Sequence, residues 1–527
     1  MNKILRILDL YFVKYRNYRR LLKNLESEEP IDDRVLDGVY LFNTVRSITT
    51  VMHVELFLAF SLAKRGERCL VLLDDGALHH WDSIHDINNT GALTPLKSNI
   101  FRRFYTEFNR KVICYLYSHP NIEYVFLGNL IKGLKEENVV VSEHYELIKA
   151  CARSSCRRYS SSTKFWVDYE GQDYYKMSYD NGIKFALAAH ILQKRYKIKK
   201  LITSHGIYSC WGVLFEIFKK SGIDCLMYSE LIYNPQHALL CDVPHQKLSH
   251  SNDWSNCIES NDTDLSVYEV DRVIDFFEKR LIYRGADANY YFDQDLLVCP
   301  EISGGDKGVV FGLFPNVVWD GDFEEVHRAF TGILNWVKET ISILKDTDHT
   351  LVIRCHPAED KFHGDSPKLE SMLRDSLDGL NELKNIVILS SDLKLDVYKF
   401  IQDQIDIGLV YDGMLGLEMS YLGIPVITAG NGRYAGSDFS EEPKDFNEYS
   451  DLLKNPALFI SNFQGEKKVK FKKLLRFAHW YLYEKAFFIP ILDKDDFFGI
   501  DLKNIKRETF SSKNDAFKRT LDYITSE

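Results

Sequence analysis

Two short segments in the second half of the sequence combine residue types that bind anions. Arg354, His356 and Pro357 end an apolar run, and an Arg with a His on one side of a strand would counter the charge of a diphosphate or phosphodiester. Asp412 and Gly413 begin a tight turn that leads into a short apolar helix. Such a turn directs backbone N–H groups and the positive end of the helix at one point. Together the segments predict a site for a phosphate-bearing nucleotide.

Each of these features also has a structural explanation. His356 and Pro357 could simply end a strand, because proline interrupts the hydrogen-bonded ladder and histidine can bond a local carbonyl. Glu418 is the one charge on the short helix after Gly413, so its carboxylate is predicted either to accept hydrogen bonds from ribose hydroxyls or to be capped by backbone amides. Tyr434 lies in a glycine-rich loop that could contact a ligand, close over it, or be an ordinary surface loop.

The elements that must position these residues alternate between strands and helices in two successive halves of the chain. Apolar runs predict the strands, and apolar residues at helical spacing predict the helices between them. The first half has predicted strands at 37–42, 69–73, 122–127, 201–204 and 224–228, and helices at 50–64, 100–117, 177–197 and 211–220. The second half has predicted strands at 308–314, 349–354, 385–389 and 405–411, and helices at 323–344, 369–377 and 395–402. The pattern predicts an α/β fold with two doubly wound parallel sheets.

Polar residues directly follow several of the predicted strands. His205 follows the strand at 201–204, and Asn316 and Asp320 follow the strand at 308–314. In open parallel sheets the ligand lies beyond the carboxyl ends of the strands. We therefore expect these residues to belong to ligand sites rather than to ordinary loops.

The distribution of elements also divides the chain into domains. Between about 239 and 308 the pattern loses its period and fills with Asn, Asp, Ser and His, apart from one helical stretch at 268–283. The predicted division is a basic amphipathic helix at 1–30, a first α/β domain at 31–250, a linker at 251–307, a second, nucleotide-binding α/β domain at 308–465 and a C-terminal helical segment at 466–527.

The first thirty residues have two interpretations. Residues 4–15 place apolar side chains at helical spacing, and cations crowd residues 14–23. A basic amphipathic helix of this kind can lie on an anionic membrane surface or pack on the body of the protein. A second cationic and aromatic stretch at 467–483 raises the same alternatives.

Composition limits the class of protein. The chain has 527 residues, of which 45% are apolar and 27% charged, which is typical of a globular protein with two or three domains. Its net charge of −10 argues against a general nucleic-acid binder, which needs a cationic surface. The ten cysteines have no paired CxxC spacing, and many lie in apolar runs, as is typical of reduced thiols. With no signal-peptide pattern and no run of about 18 apolar residues, we expect a cytoplasmic location.

At this point the chain resembles the bacterial capsule polysaccharide biosynthesis glycosyltransferases. The resemblance rests on FPNVVWDGD at 314–322, VIRCHPAED at 352–360 and YDGMLGLEMSYLGIPVITAGNGRYAGSDF at 411–439. It covers roughly the second half of the chain and implies the GT-B architecture, in which two Rossmann-like domains face each other across a cleft. It also implies donor contacts at Arg354, His356, Asp412, Gly413 and Glu418. The turn has Asp412-Gly413 where the family commonly has Ser or Thr, and an Asp would repel the anion unless its carboxylate points away or is protonated.

A transferase of this architecture needs a general base for the acceptor hydroxyl, which we expect in the first domain. The candidates are His205 after its strand, Asp168 and Glu170 in an aromatic segment, and Glu55 on the first helix, with His205 ranked first. Aromatic neighbours could raise the pKa of Asp168 or Glu170 towards a useful value. The resemblance implies catalysis without a metal or other cofactor.

Three functions fit the sequence. The first is transfer of a sugar from a nucleotide sugar to a saccharide or glycolipid acceptor of a surface polysaccharide, beside an anionic membrane surface. The others are a sugar-nucleotide epimerase and a catalytically silent nucleotide-sugar-binding scaffold. His79, His80, Asp82 and His85 contain metal-ligand types but no complete tetrahedral set, so a surface loop is the preferred interpretation. The chain has no GxxxxGK[ST] loop and no GxSxG elbow, which argues against an ATPase, a kinase or a lipase.

Overall fold

The computed structural model divides the described part of the chain into two compact units. Residues 38–45, 49–79, 113–134, 141–159, 173–230, 236–259, 264–283, 297–302, 308–318, 327–361, 368–492 and 515–526 are described. The first unit contains the described residues up to Tyr159, those from 173 to Pro244 and those from Lys485 onwards. The second contains the described residues between His245 and Glu484. The predicted helix at 1–30 lies outside the described residues.

The first unit is built on a seven-stranded sheet. Five consecutive strands up to one edge of the sheet are parallel, and two further strands extend the other edge in antiparallel pairing. The strands are β1 Val39–Asn43, β2 Cys69–Leu73, β3 Ile122–Phe126, β4 Ile198–Ser204, β5 Asp224–Glu230, β6 His237–Cys241 and β12 Ala486–Phe488. Their order is β12-β6-β5-β4-β1-β2-β3, so the direction of winding reverses between β1 and β4. That reversal is the switch point at which doubly wound sheets bind ligands.

The second unit is built on a five-stranded parallel sheet. Its strands are β7 Val310–Phe314, β8 Thr350–Arg354, β9 Ile386–Leu389, β10 Ile407–Val410 and β11 Val426–Thr428, in the order β11-β10-β7-β8-β9. The strands read as short apolar runs because helices cover a parallel sheet on both faces. Winding reverses between β7 and β10, which places the ends of these two strands at the switch point.

Thirteen helices of seven or more residues occur in the described part of the chain. The first unit contains α1 Thr49–Lys64, α2 Tyr145–Tyr159, α3 Asp173–Arg195, α4 Gly212–Lys220 and α13 Asp515–Thr525. The second contains α5 Asn252–Glu259, α6 Val267–Tyr283, α7 Ile333–Leu344, α8 Leu369–Ser376, α9 Val397–Gln404, α10 Leu415–Tyr421, α11 Phe446–Lys454 and α12 Pro456–His479. Shorter helical turns lie at Cys114–Leu116, Leu127–Leu130, Ser142–His144, His245–His250, Ala358–Lys361, Leu380–Glu382 and Trp480–Glu484.

The predicted α/β class with two parallel sheets is confirmed, and each predicted strand is present close to its expected bounds. The linker expected at 251–307 differs from the structure, because α5 and α6 lie in it and belong to the second unit. Trp254 of α5 shows why, since its buried indole N–H donates to the carbonyl of Ala435 at 3.0 Å. The many polar residues at 251–307 led to the prediction of a linker, although two amphipathic helices lie there.

The C-terminal segment predicted at 466–527 also differs from the structure. Only its first part continues the second unit, within α12. From Lys485 the chain belongs to the first unit, where β12 pairs with β6 and α13 follows. The helix predicted at 323–344 begins at Ile333 in the described residues, because Gly332 has a φ of 147°, which no helix accommodates. All ten cysteines are free and eight are buried, while no described helix is long and apolar enough to cross a membrane.

Candidate functional site

Asn316 and Gly413 meet at the switch point of the second sheet. Asn316 follows β7 and Gly413 follows β10. A Cβ built on Gly413 would lie 3.8 Å from Asn316 Oδ1. That oxygen is buried and accepts no hydrogen bond from any described residue. Since buried side-chain oxygens in native proteins nearly always have a donor, the amide points to a bound ligand or water at this place.

The carboxylate of Asp412 turns away from this place. Its Oδ1 accepts a hydrogen bond from the backbone N–H of Arg433 at 2.8 Å, and Arg433 Nε lies 3.5 Å from the same oxygen. A Cβ at Gly432 would overlap that oxygen, so glycine is required there. Burial raises the pKa of Asp412, and the charge and hydrogen bonds of Arg433 oppose this. Asp412 therefore fixes the loop after β11, and a ligand at Gly413 would not face its carboxylate.

Tyr434 holds the backbone of this turn through a hydrogen bond. Its fully buried hydroxyl donates to the carbonyl of Gly413 at 3.0 Å. A Cβ at Gly416 would overlap the same hydroxyl, which explains the second glycine of the turn. The prediction that Tyr434 contacts the donor directly is thus replaced by a positioning role, because the ring is packed inside the unit.

His356 and Pro357 lie half-buried at the end of the neighbouring strand, β8. The N–H of Ala358 donates to His356 Nδ1 at 3.1 Å, so the proton of the neutral ring is on Nε2. Burial, and then the nearby charge of Arg354, lower the pKa of His356 to about 4. The imidazole is therefore neutral at pH 7 and offers Nε2–H as a hydrogen-bond donor.

Arg354 has a different role from the phosphate contact that was predicted. Its side chain is buried, and its guanidinium donates to the carbonyl of Ser390 and, at 2.8 Å, to the carbonyl of Leu393. These carbonyls belong to the loop between β9 and α9. The cation therefore holds this loop against the end of β8. Residue types alone do not reveal this contact, because the acceptors are backbone atoms.

Glu418 is buried and forms an ion pair with Arg280 of α6. Only 3% of the Glu418 side chain and 10% of the Arg280 side chain are exposed. The ion pair gives this carboxylate a structural role that the sequence did not suggest, and the ribose contact stays a prediction. The partner of Glu418 lies in the segment that was predicted to be a linker, about 140 residues away in the chain, and its identity could not be read from local spacing.

The switch point of the first sheet also gathers polar side chains. His205 follows β4 with a φ of 56°, stacks on Trp211 with ring centroids 4.7 Å apart and hydrogen-bonds to Ser204. Asn43 and Thr44 end β1, and their side-chain Oδ1 and Oγ1 atoms are buried without a partner among the described residues. A strained histidine backbone beside such atoms indicates a ligand site. His205 thus lies at the switch point, and its role as base stays a prediction, while Asn43 and Thr44 are candidate site residues that the sequence analysis did not name.

Asp74 is a second candidate base that sequence analysis overlooked. It follows β2 directly, and its Oδ1 accepts hydrogen bonds from the N–H groups of Gly76, Ala77 and Leu78 at 3.0, 2.9 and 3.2 Å. Burial nevertheless raises the pKa of Asp74 to about 6. The signal in the sequence was its position at a strand end, in Asp74-Asp75-Gly76. Asp75 instead accepts from the N–H groups of Gly128 and Asn129, at 2.6 and 3.0 Å, in the helical turn Leu127–Leu130 that follows β3.

The remaining predicted residues separate into two groups. Glu55 is buried in the interior of α1, where an acceptor cannot reach its side chain without a rearrangement. Asp168, Glu170 and Asp320 lie outside the described residues, and their predicted roles stay predictions. No group of three His, Cys, Asp or Glu side chains is arranged to hold a metal ion within the described ranges.

A cavity of about 570 Å³ lies beside the loop after β11. Arg328 lines it and donates to Asn431 at 3.1 Å and to Glu442 at 3.0 Å, and both carboxylate oxygens of Glu442 accept from the N–H of Gly436. These hydrogen bonds hold the loop that contains Tyr434 and Arg433, whose backbone N–H donates to Asp412. None of the predicted donor residues that the structure describes lines this cavity.

No protein-family model matches the chain, and no curated protein matches its sequence. Solved structures with a similar arrangement include the β-Kdo 2,4-transferase KpsC of Thermosulfurimonas dismutans, at 11% identity and a TM-score of 0.34 over 54% of this chain and 79% of that one. Its β-Kdo 2,7-transferase counterpart has 13% identity and a TM-score of 0.35 over 63% and 88%. The wall teichoic acid polymerase TagF has 8% identity and a TM-score of 0.26 over 92% and 96%. All of these TM-scores are below 0.5, so the site is defined by the chain's own geometry.

Replacing Glu418 tests whether its ion pair is structural. Glu418→Ala is expected to lower the free energy of unfolding by about 3 kcal/mol, because Arg280 is left as a buried charge without its counter-ion. The double variant Arg280→Met/Glu418→Leu is the matched control, and it should recover most of this loss because it removes both charges. Chemical denaturation measures both. Wild-type stability of Glu418→Ala together with lost nucleotide affinity would instead support a ribose contact.

Proposed function

We propose that the protein is a glycosyltransferase that moves a sugar from a nucleotide sugar to a saccharide or glycolipid acceptor of a bacterial surface polysaccharide. The observation that carries this proposal is the buried, unpartnered Oδ1 of Asn316 beside Gly413 at the switch point of the second sheet. Two doubly wound sheets, each with polar side chains at its switch point, give separate places for a nucleotide and for an acceptor. The capsule-type motifs at 314–322, 352–360 and 411–439 favour this function.

The donor nucleotide is bound by neutral hydrogen-bonding groups of the second unit. Asn316 Oδ1 accepts from an N–H or hydroxyl group of the nucleotide, and His356 Nε2–H donates to a phosphate oxygen. As the bond between the anomeric carbon and the phosphate oxygen breaks, negative charge grows on the leaving phosphate. A preorganised N–H donor stabilises that charge at no cost of reorganisation. The transfer needs no metal for this step.

The acceptor hydroxyl is deprotonated by a group of the first unit. Asp74 is the preferred base, because a pKa of about 6 leaves its carboxylate ionised at pH 7 while keeping it basic enough to accept a proton. His205 is the alternative at the other strand end. The acceptor oxygen forms its bond to the anomeric carbon, the nucleotide leaves, and the proton stays on the base.

We also propose that the enzyme works at the cytoplasmic face of the membrane and contacts it through α12. Lys467, Lys468 and Val469 of this helix are exposed, and 58% of Val469 is accessible. Lysines around an exposed apolar side chain match an anionic lipid surface.

A panel of CMP-, UDP- and GDP-sugars, with and without a glycolipid acceptor, tests the function. We expect nucleotide release that depends on the acceptor, measured by chromatography of the products. Release or isomerisation of the sugar without an acceptor would instead support an epimerase. Binding of a nucleotide sugar without turnover under any condition would support a silent scaffold.

The role of Asp74 predicts a pH dependence. Because the base must be ionised, kcat/KM is expected to fall about tenfold per pH unit below pH 6. Asp74→Asn should remove this limb and lower the rate by roughly 10²–10⁴, while its amide oxygen still accepts the three backbone N–H groups.

Stability provides the control for this variant. The raised pKa of Asp74 means that its contribution to stability is present below the ordinary Asp pKa and is lost as pH rises through about 6. Asp74→Asn should therefore be at least as stable as the wild type at pH 7. A wild-type rate profile in Asp74→Asn would transfer the role of base to His205.

Membrane contact is tested by co-sedimentation with liposomes that contain anionic lipid. Lys467→Glu/Lys468→Glu should bind at least roughly thirtyfold more weakly than the wild type, since each of the two lost cations near the headgroups contributes about 1 kcal/mol and the new carboxylates repel anionic lipid. The matched control is Lys345→Glu/Lys384→Glu, which makes the same charge change at exposed positions elsewhere in the second unit. Equal weakening in both variants would show a nonspecific charge effect and no α12 interface.

A further inference from the structure

His79 is held in one position by three residues of α3. Its backbone N–H donates to Asn181 Oδ1 at 2.8 Å, and Asn181 Nδ2 donates back to the carbonyl of His79 at 3.3 Å. Lys184 Nζ donates to the carbonyl of Ala77 at 2.8 Å. The His79 ring itself bonds through Nε2 to Asp180 Oδ2 at 2.7 Å. Backbone and side chain are thus both fixed, which is the arrangement of a preorganised binding group.

The hydrogen bond to Asp180 also determines which ring nitrogen of His79 is available to a ligand. The bond from His79 and the ammonium of Lys184 lower the pKa of Asp180 to about 2, so its carboxylate is ionised and can only accept. The proton of a neutral His79 ring must therefore be on Nε2, and Nδ1 carries a lone pair. Such an atom accepts a hydroxyl proton and gives no donor to an anion.

The position of His79 relates it to the proposed base. Asp74 accepts hydrogen bonds from Gly76, Ala77 and Leu78, and His79 is the next residue. One short loop at the carboxyl end of β2 therefore carries both groups, and α3 holds it. About 36% of the His79 side chain is exposed, so a ligand can reach the ring.

We propose that His79 binds a hydroxyl group of the acceptor saccharide through Nδ1, with Asp180 as its positioning residue. The proposal rests on the proposed transferase function and deepens it by assigning part of the acceptor site. A saccharide presents several hydroxyl groups, so one can donate to His79 while another approaches Asp74. The paired contacts orient the ring and select which hydroxyl reacts.

Steady-state kinetics of the full chain test this, with the glycolipid acceptor on which the wild type turns over varied at saturating nucleotide sugar. In His79→Ala the KM for the acceptor should rise roughly three- to tenfold, the value of one neutral hydrogen bond. The KM for the nucleotide sugar should stay unchanged. Asp180→Ala should raise the acceptor KM less, because the ring remains but is no longer held.

A double variant separates positioning from general support of the fold. His79→Ala/Asp180→Ala should bind the acceptor no more weakly than His79→Ala alone, because Asp180 acts through the ring. His190→Ala is the matched control, since it removes another partly exposed histidine, on the same helix α3, and it should behave as the wild type. If His79→Ala melts at a lower temperature, His79→Gln replaces it, and the same rise in acceptor KM is expected.

Failure of the proposed function and failure of the role of His79 give different results. Absence of acceptor-dependent transfer by the wild type overturns the proposed function. Transfer by the wild type with an unchanged acceptor KM in His79→Ala, or additive losses in the double variant, overturns the role of His79 and leaves the transferase in place.

Discussion

The hydrogen bond from the buried hydroxyl of Tyr434 to the carbonyl of Gly413 is the constraint on which the candidate nucleotide site depends. It brings the loop after β11 under the turn after β10, and two glycines, Gly416 and Gly432, are needed to let the side chains of Tyr434 and Asp412 pass. The turn therefore cannot shift without breaking a buried hydrogen bond, which costs more than the bond itself contributes in water-exposed settings. The backbone of Gly413 is in this way held beside Asn316.

The cationic side chains near this turn form ion pairs or hydrogen bonds with other groups of the protein. Arg280 is paired with Glu418, Arg328 with Glu442, and Arg354 with backbone carbonyls. Burial makes such charges costly unless they are paired, and once paired they fix the elements that carry them. The side chains of Asn316 and His356 at the neighbouring strand ends are uncharged, the first as an amide and the second as a neutral imidazole. Recognition of a nucleotide here depends on oriented hydrogen bonds more than on net positive charge, which agrees with a chain of net charge −10.

The two sheets and the ends of their strands could be predicted from the sequence. The contacts that individual side chains make could not. Short apolar runs such as the one ending at Arg354 indicate strands that helices cover on both faces of a parallel sheet. The ends of these strands then predict where His205, Asn316 and Gly413 lie. What Arg354, Glu418 and Tyr434 contact depends on partners far away in the chain, of which Arg280 lies in a stretch that resembled a linker. Local spacing carries no information about such pairs. Asn43 and Thr44 directly follow the strand predicted at 37–42, but only the structure shows that their side-chain oxygens are buried without a partner among the described residues.

The central claim is that the amide of Asn316 binds the donor nucleotide at the switch point of the second sheet. Isothermal titration calorimetry of CMP, UDP and GDP with the wild type and Asn316→Ala tests it most directly, with Asn447→Ala, an exposed asparagine of the same unit, as control. We expect one nucleotide to bind the wild type and the control equally and to bind Asn316→Ala roughly tenfold more weakly, because one buried hydrogen bond is lost. Equal affinity for all three proteins would contradict it.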